Sequence, residues 1–227
     1  MAEESSTHSR SSCTIESTDG VTIDARVYRP ISDNNSTNVV AVLVHPYSVL
    51  GGCQGLMRGI ARGLSNRGII AVTFDTRGAG KSTGRASLTG SAEINDAISV
   101  CKWAVSNFKT NRIILVGSSA GAAIAGSAVD QVEQVVGYVS LGYPFGFTAS
   151  ILFGRHQKAI LQSPKPKLFV MGTKDGFTSV KQLENKLKDA AGHHITHLIE
   201  GASHFQMEGP AFDAAMVNLI LEFITTL

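Results

Sequence analysis

The sequence has few of the residues that specify a disulfide-linked, metal-binding or nucleic-acid-binding protein. Its 227 residues include three cysteines, Cys13, Cys53 and Cys101, and no Cys-x-x-Cys pair, which argues against a disulfide framework and a structural zinc site. Twenty Lys and Arg residues against 18 Asp and Glu leave a formal charge of +2. A charge this close to zero provides no polycationic surface for nucleic acid.

Long apolar segments are also missing. No window approaches the roughly 18 uninterrupted apolar residues of a membrane helix, and the first twenty residues lack the apolar core of a secretory signal peptide. We therefore expect no membrane span and a cytoplasmic location, where free cysteines stay reduced. Residues 1–12 are predicted to be a flexible tail, and residues 13–227 a single domain.

Apolar runs alternate with segments of helical periodicity along the rest of the chain. The runs, which predict strands, occupy residues 39–45, 69–75, 112–118, 135–141, 167–172 and 195–200. Near the N-terminus, Asp19-Gly20 separates two β-branched runs and predicts an antiparallel hairpin. This order favours an α/β fold, with a mostly parallel sheet covered by helices on both faces.

Residues 75–82 end in Gly80-Lys81-Ser82 and are similar to a phosphate-binding loop. That motif requires a glycine where this chain has Asp75, whose carboxylate would repel phosphate. We therefore interpret the segment as a tight, glycine-rich turn.

The sequence Gly117-Ser118-Ser119-Ala120-Gly121 fits the Gly-x-Ser-x-Gly pattern in full. A predicted strand enters it and a small-residue helix leaves it, as a turn that exposes a nucleophilic serine requires. Ser119 then lies at the N-terminus of that helix, where the macrodipole favours developing negative charge. The alternative is an ordinary Ser/Gly/Ala-rich helix start.

A serine nucleophile needs a base, and the base needs a carboxylate that orients it. Asp175 and His204 each follow a predicted strand, in the chain order serine, acid, histidine that belongs to this turn type. Because the carboxyl ends of parallel strands share one sheet edge, we expect the three side chains to meet there. The alternatives are a turn or helix cap for Asp175 and a surface loop for His204.

With these residues the sequence resembles the α/β-hydrolase superfamily, in particular its small, nearly capless members of the dienelactone-hydrolase-like or serine-aminopeptidase-like kind. Two features depart from the pattern: many relatives have His-Gly where this chain has His45-Pro46, and dienelactone hydrolases have a cysteine where it has Ser119. The matching motifs are His45-Pro46-Tyr47-Ser48, Asp75-x-Arg77-Gly78-x-Gly80, residues 117–121, Gly172-x-x-Asp175 and Gly201-x-x-His204-Phe205.

The resemblance implies a serine hydrolase that cleaves an ester or thioester of a small-molecule acyl substrate through an acyl-enzyme on Ser119, without cofactor or metal. The oxyanion would be bound by the N–H of Ala120 and by one N–H from the loop after the first parallel strand. Pro46 has no N–H, so Tyr47 is the expected donor, with its phenol or a pocket-wall role as alternatives.

Residues 142–166 are the place where larger relatives insert a cap domain. The aromatic residues of this short segment could line an acyl pocket or pack against the sheet; they are Tyr143, Phe145, Phe147 and Phe153. A weakly catalytic or non-catalytic ligand receptor on the same fold, and a peptidase or amidase, remain alternative functions. No residue demands a particular oligomeric state.

Overall fold

One eight-stranded sheet forms the centre of the computed structural model, which describes residues 8–31 and 38–227. Its spatial order is β1-β2-β4-β3-β5-β6-β7-β8. The first two strands pair antiparallel, β2 pairs antiparallel with β4, and all remaining neighbours are parallel. The strands are β1 (His8–Glu16), β2 (Thr22–Pro30), β3 (Val39–Val44), β4 (Ile70–Phe74), β5 (Arg112–Ser118), β6 (Val135–Leu141), β7 (Lys167–Gly172) and β8 (His194–Ile199).

Helices cover both faces of this sheet. One face packs against α1 and α7, and the other packs against α2, α3, α4 and α5. The helices are α1 (Arg58–Asn66), α2 (Glu93–Phe108), α3 (Ala120–Ala128), α4 (Phe147–Gln162), α5 (Val180–Leu187), α6 (His204–Met207) and α7 (Asp213–Thr225). The predicted α/β architecture, with its N-terminal antiparallel hairpin, is therefore confirmed. Among the described residues, no helix has the length and apolar character needed to cross a bilayer.

The central strands are buried on both sides, which is why they appear in the sequence as unbroken apolar runs. All six residues of β3 and all six of β7 are buried. The edge strand β8 is largely exposed, and polar residues interrupt its apolar pattern. Because β3 to β8 are parallel, the loops that leave their carboxyl ends lie along one edge of the sheet.

Two elements differ from the sequence prediction. β1 begins at His8, so residues 8–12 of the predicted flexible tail form a strand that pairs with the end of β2; residues 1–7 lie outside the described residues. Backbone pairing, which side-chain pattern does not encode, extends this edge strand. Residues 142–166, for which the sequence predicted no helix, contain the 16-residue helix α4. This helix packs on α3, with Ile160 directly above Gly126.

Candidate active site

Ser119 occupies the sharp turn that joins β5 to α3. Its backbone adopts φ 55° and ψ −123°, a conformation that is strained for a residue with a side chain. Hydrogen bonds hold the turn from both sides: the Ser119 N–H donates to Leu141 O at 2.9 Å, and the Ala122 N–H donates to Ser119 O at 2.9 Å. The turn therefore fixes the direction in which the hydroxyl points.

Close backbone contacts explain the two glycines of the Gly-x-Ser-x-Gly pattern. A Cβ at Gly117 would lie 2.4 Å from Gly121 O, inside the turn itself. A Cβ at Gly121 would lie 2.3 Å from His45 O, in the loop that follows β3. Only glycine fits at either position without a backbone shift, so the start of α3 lies directly against the neighbouring loop.

Ser119, His204 and Asp175 form one hydrogen-bonded chain. His204 Nε2 lies 2.8 Å from Ser119 Oγ, and His204 Nδ1 lies 2.6 Å from Asp175 Oδ2. The carboxylate can only accept, so Nδ1 carries the proton and Nε2 accepts the hydrogen bond of the serine hydroxyl. The structure thus brings together the three side chains that the sequence assigned to one sheet edge.

Asp175 uses its two carboxylate oxygens for different purposes. Oδ1 accepts the backbone N–H groups of Phe177 at 2.7 Å and Thr178 at 2.9 Å, which closes the turn after β7. Oδ2 is left to accept from His204. Ser179, not Asp175, caps α5 through a capping box with Gln182. The turn role considered from sequence and the contact with histidine therefore coexist.

The His204 ring is held by packing as well as by hydrogen bonds. Phe177 contacts it edge to face, with 4.6 Å between ring centroids, and Phe205 lies at 5.5 Å. Gly142, just after β6, leaves room for the imidazole, because a Cβ there would lie 3.1 Å from His204 Cε1. His204 is 4% exposed, so its orientation is constrained on most sides.

The loop after β3 is fixed by a buried histidine. His45 Nδ1 donates to Pro46 O at 2.6 Å, and its Nε2 accepts the Thr76 N–H at 3.0 Å. Burial lowers the pKa of His45, which keeps this imidazole neutral. It thereby ties the loop that carries Tyr47 to the turn after β4.

Ala120 and Tyr47 both line the cavity beside Ser119. Among the described residues, neither the Ala120 N–H nor the Tyr47 N–H has a hydrogen-bond acceptor. The Tyr47 phenol donates to Leu88 O at 2.6 Å, and its ring packs edge-on against Phe153 at 5.3 Å. The phenolic proton is therefore already used, while the ring forms part of the cavity wall.

A cavity of about 330 Å³ lies next to Ser119. A larger cavity of about 430 Å³ between α1 and α7 contains none of the predicted site residues, so the smaller one is the candidate site. Its walls are mostly apolar; the lining residues are Pro46, Tyr47, Leu50, Gly51, Gly52, Leu56, Ser119, Ala120, Pro144, Ala149, Leu152, Phe153, Phe177, Phe205 and Glu208.

The structure corrects three of the four predicted pocket aromatics. Tyr143 and Phe145 are stacked on each other at 4.0 Å and buried in the core, and neither lines the cavity. Phe147 is 81% exposed and points outward from α4. Only Phe153 lines the cavity. The two aromatic residues that precede α4 pack in the core, and the two on α4 itself lie on different faces of that helix.

Three lining residues were missed although the sequence contains a signal for them. Phe177 lies two residues after Asp175, Phe205 directly follows His204, and Glu208 lies one helical turn beyond His204. When a loop places an acid or a base at a site, the residues next to it in the sequence also lie near that site. The residues next to Asp175 and His204 in the sequence therefore indicated the cavity wall better than the aromatic residues between β6 and β7 did.

Glu208 is the one acidic residue in the cavity wall. Its side chain is 17% exposed, and its Oε1 lies 3.6 Å from His204 Nε2. Burial raises the pKa of the Glu208 carboxyl, and the neighbouring His204 and Ser119 partly offset that rise. The imidazole therefore lies between two carboxyl groups, Asp175 on Nδ1 and Glu208 near Nε2.

Comparison with known proteins gives a family and a fold. A family model described as X-Pro dipeptidyl-peptidase (S15 family) matches residues 19–140, which is more than half of the chain. No curated protein matches the chain.

Solved structures are similar over almost the whole chain. An α/β serine hydrolase homologue from Coxiella burnetii is 24% identical, with a TM-score of 0.76 over 96% of this chain and 97% of its own. An α/β serine hydrolase without a lid from Xanthomonas campestris is 22% identical, with a TM-score of 0.78 over 96% and 94%. An esterase from Pyrococcus furiosus is 19% identical, with a TM-score of 0.78 over 100% and 94%. The predicted small, capless α/β-hydrolase fold is confirmed.

The close contact at Gly121 predicts a large loss of stability from a single methyl group. Gly121→Ala should lower the free energy of unfolding by about 3 kcal/mol or more, since the Cβ meets rigid backbone. Gly154→Ala in α4 is the matched control, because its Cβ would meet only Ser150 Cβ at 3.6 Å. The control should be neutral or stabilising by up to about 1 kcal/mol. Urea unfolding measures both, and equal effects would contradict the proposed contact.

The raised pKa of Glu208 predicts a pH-dependent stability effect. The folded state binds this proton more tightly than the unfolded chain, so the contribution of Glu208 is most favourable below the unfolded pKa and decreases as pH rises through the folded pKa. Glu208→Gln should therefore raise Tm at pH 7.5, by about 2–4 °C for each kcal/mol recovered. At a pH below about 4, where the carboxyl is protonated in both states, the difference should vanish.

The exposed Glu222 of α7 provides the control for that measurement, since Glu222→Gln should change Tm little at either pH. A Tm gain for Glu208→Gln that is the same at both pH values would mean that ionisation of Glu208 is not its cause.

Proposed function

The chain belongs to the X-Pro dipeptidyl-peptidase (S15) family, and from this premise we propose that it is a serine hydrolase that cleaves carboxylic esters or thioesters through an acyl-enzyme on Ser119. The observation that carries the proposal is the hydrogen-bonded chain from Ser119 Oγ through His204 to Asp175, with distances of 2.8 and 2.6 Å. Fold alone would not support a reaction, because one fold hosts many functions.

In the proposed mechanism, Ser119 Oγ attacks the acyl carbon while His204 Nε2 takes the hydroxyl proton. Asp175 holds the Nδ1 tautomer and stabilises the imidazolium that forms. His204 then gives the proton to the leaving oxygen or sulfur, and the carbon–leaving-group bond breaks. A water molecule repeats the sequence on the acyl-enzyme, releasing the carboxylic acid and restoring the serine.

The negative charge that develops on the acyl oxygen needs donors that are already in position. The unused N–H groups of Ala120 and Tyr47 are the proposed donors, and Ala120 adds the positive end of the α3 dipole. His45 supports this arrangement as a positioning residue, since its hydrogen bonds to Pro46 O and to the Thr76 N–H fix the backbone of the loop that carries Tyr47.

The cavity favours substrates with an uncharged, apolar acyl group. Its volume of about 330 Å³ is at the small end for ligand pockets, and aliphatic and aromatic side chains form most of its wall. Glu208 would repel an acyl group that carries its own carboxylate. Short neutral esters and thioesters therefore fit the site best.

A peptidase is the second candidate, favoured by the description of the family that matches residues 19–140. The same serine, base and acid would cleave an amide if His204 protonated the leaving amine. Steady-state kinetics with p-nitrophenyl esters and with X-Pro p-nitroanilides distinguish the two. A higher kcat/KM for the anilides would replace the esterase proposal by the peptidase.

The proposal predicts that Ser119→Ala abolishes covalent labelling by a fluorophosphonate and lowers p-nitrophenyl ester turnover at least about 10³-fold. The hydroxyl that displaces fluoride from the probe is then absent. Labelling is read as the mass increase of the intact protein and located by peptide mapping.

Ser118→Ala is the matched control, because Ser118 is the adjacent serine but is buried at the end of β5. It should keep the label. A label that persists in Ser119→Ala would refute the assignment of Ser119 as the nucleophile. A wild-type protein that neither reacts with the probe nor turns over any ester would refute the hydrolase proposal and favour a non-catalytic ligand receptor.

A further inference from the structure

Exposed apolar side chains are concentrated around the mouth of the Ser119 cavity. Single exposed apolar residues are normal in soluble proteins, but a cluster on one face marks an interaction surface. Of the nine large hydrophobic side chains that are exposed among the described residues, seven lie in segments that form or adjoin the cavity. We call these seven the apolar rim: Val49, Leu50, Leu56, Leu88, Phe147, Ile151 and Phe205.

Direct contacts connect the rim to the cavity. Leu50, Leu56 and Phe205 are themselves lining residues. Leu88 accepts the hydrogen bond of the Tyr47 phenol through its carbonyl, and Phe147 and Ile151 occupy the α4 turns that also supply Ala149, Leu152 and Phe153 to the wall. The apolar surface of the cavity thus continues outward onto the face of the protein.

The rim residues come from four separate parts of the chain, three of which also supply residues that line the cavity. They are the loop between β3 and α1, the loop between β4 and α2, the first half of α4, and α6. A single acyl chain that leaves the cavity extends in one direction and would contact only part of the apolar rim. A continuous apolar phase contacts all of it.

The exposed charged side chains of the segments that form or adjoin the cavity are of one sign. Within residues 46–57, 81–91, 147–158, 173–177 and 203–208, the two acidic side chains are Asp175, which is fully buried, and Glu208, which is 17% exposed. The exposed charged side chains of the same segments are all cationic; they are Lys81, Arg85, Arg155, Lys158 and Lys174. Exposed apolar tips flanked by Lys and Arg are typical of surfaces that bind anionic lipid.

We propose that the apolar rim docks on the surface of an anionic lipid bilayer, with the cavity opening toward the lipid. The apolar side chains enter the boundary between headgroups and acyl chains, while the flanking cations contact lipid phosphates and carboxylates. This docking does not depend on chemistry at Ser119, so it is measured as binding and not as turnover.

Co-sedimentation of the full chain with large unilamellar vesicles tests the proposal. Wild-type protein should bind vesicles of phosphatidylcholine with about 30 mol% phosphatidylserine, and bind pure phosphatidylcholine more weakly. The double substitution Phe147→Ser and Ile151→Ser should lower the partition coefficient at least about tenfold. Lys158→Gln should lower it about fivefold on the anionic vesicles only.

Two exposed apolar residues away from the mouth provide matched controls. Ile31 follows β2 at the opposite edge of the sheet, and Leu198 lies on the edge strand β8; Ile31→Ser and Leu198→Ser should bind like wild type. Leu50→Ser, in a different part of the rim, should weaken binding in the same direction as the α4 variant. All these side chains are exposed, so Tm should stay near that of wild type.

Several results would overturn the proposal. The proposal fails if wild-type protein sediments with neither vesicle. It also fails if the Phe147→Ser and Ile151→Ser double variant binds as well as wild type. Binding that the α4 variant keeps and high salt abolishes would mean charge attraction without apolar docking. A solution dimer that the α4 variant dissociates, without vesicle binding, would assign the rim to a second copy of this chain.

Discussion

The site depends on one backbone contact, between the start of α3 and the loop that follows β3. Gly121 lies against His45 O, and Gly117 lies against Gly121 O, so two neighbouring strand ends and one helix N-terminus meet without intervening side chains. This contact holds Ser119 in its positive-φ conformation, and we propose that it also sets the distance from the serine hydroxyl to the N–H groups of Ala120 and Tyr47. An oxyanion site requires that distance to be set before the substrate arrives, because donors that must move lose much of their stabilising effect.

The sequence was sufficient to predict the site residues that directly follow the buried strands. Ser119, Asp175 and His204 each follow a buried strand, and the carboxyl ends of parallel strands share one edge, so local pattern was enough to bring them together. The positions of the aromatic residues between β6 and β7 were not predictable in this way. Tyr143, Phe145, Phe147 and Phe153 are similar in composition, but their environments depend on where α4 begins and how it rotates on α3. The start of β1 at His8 depends likewise on pairing with β2, which leaves little trace in its own polar residues.

The partly buried carboxyl of Glu208 lowers the stability of the folded protein, because it lies in a cavity wall that is otherwise mostly apolar. Burial raises its pKa, which means that the ionised form destabilises the folded state. Groups of this kind are concentrated at functional sites, where stability is given up for a charge in a defined place. Here that place is 3.6 Å from His204 Nε2, the nitrogen that becomes charged if Ser119 transfers its proton. Glu208 and Asp175 then face the two sides of the imidazolium, although only Asp175 is oriented by hydrogen bonds from the backbone.

The absence of a cap insertion between β6 and β7 connects the cavity to the exposed rim. Residues 142–166 are occupied by α4 and its short connections, so no further segment between these strands covers Phe147, Ile151 or the cavity opening. The cost of hydrating such side chains grows with their exposed apolar area, and only an external apolar surface removes it. The same exposure that leaves the cavity without a cover therefore also favours contact between this face and an apolar phase. The flanking cations select, among such phases, one with negative charge at its surface.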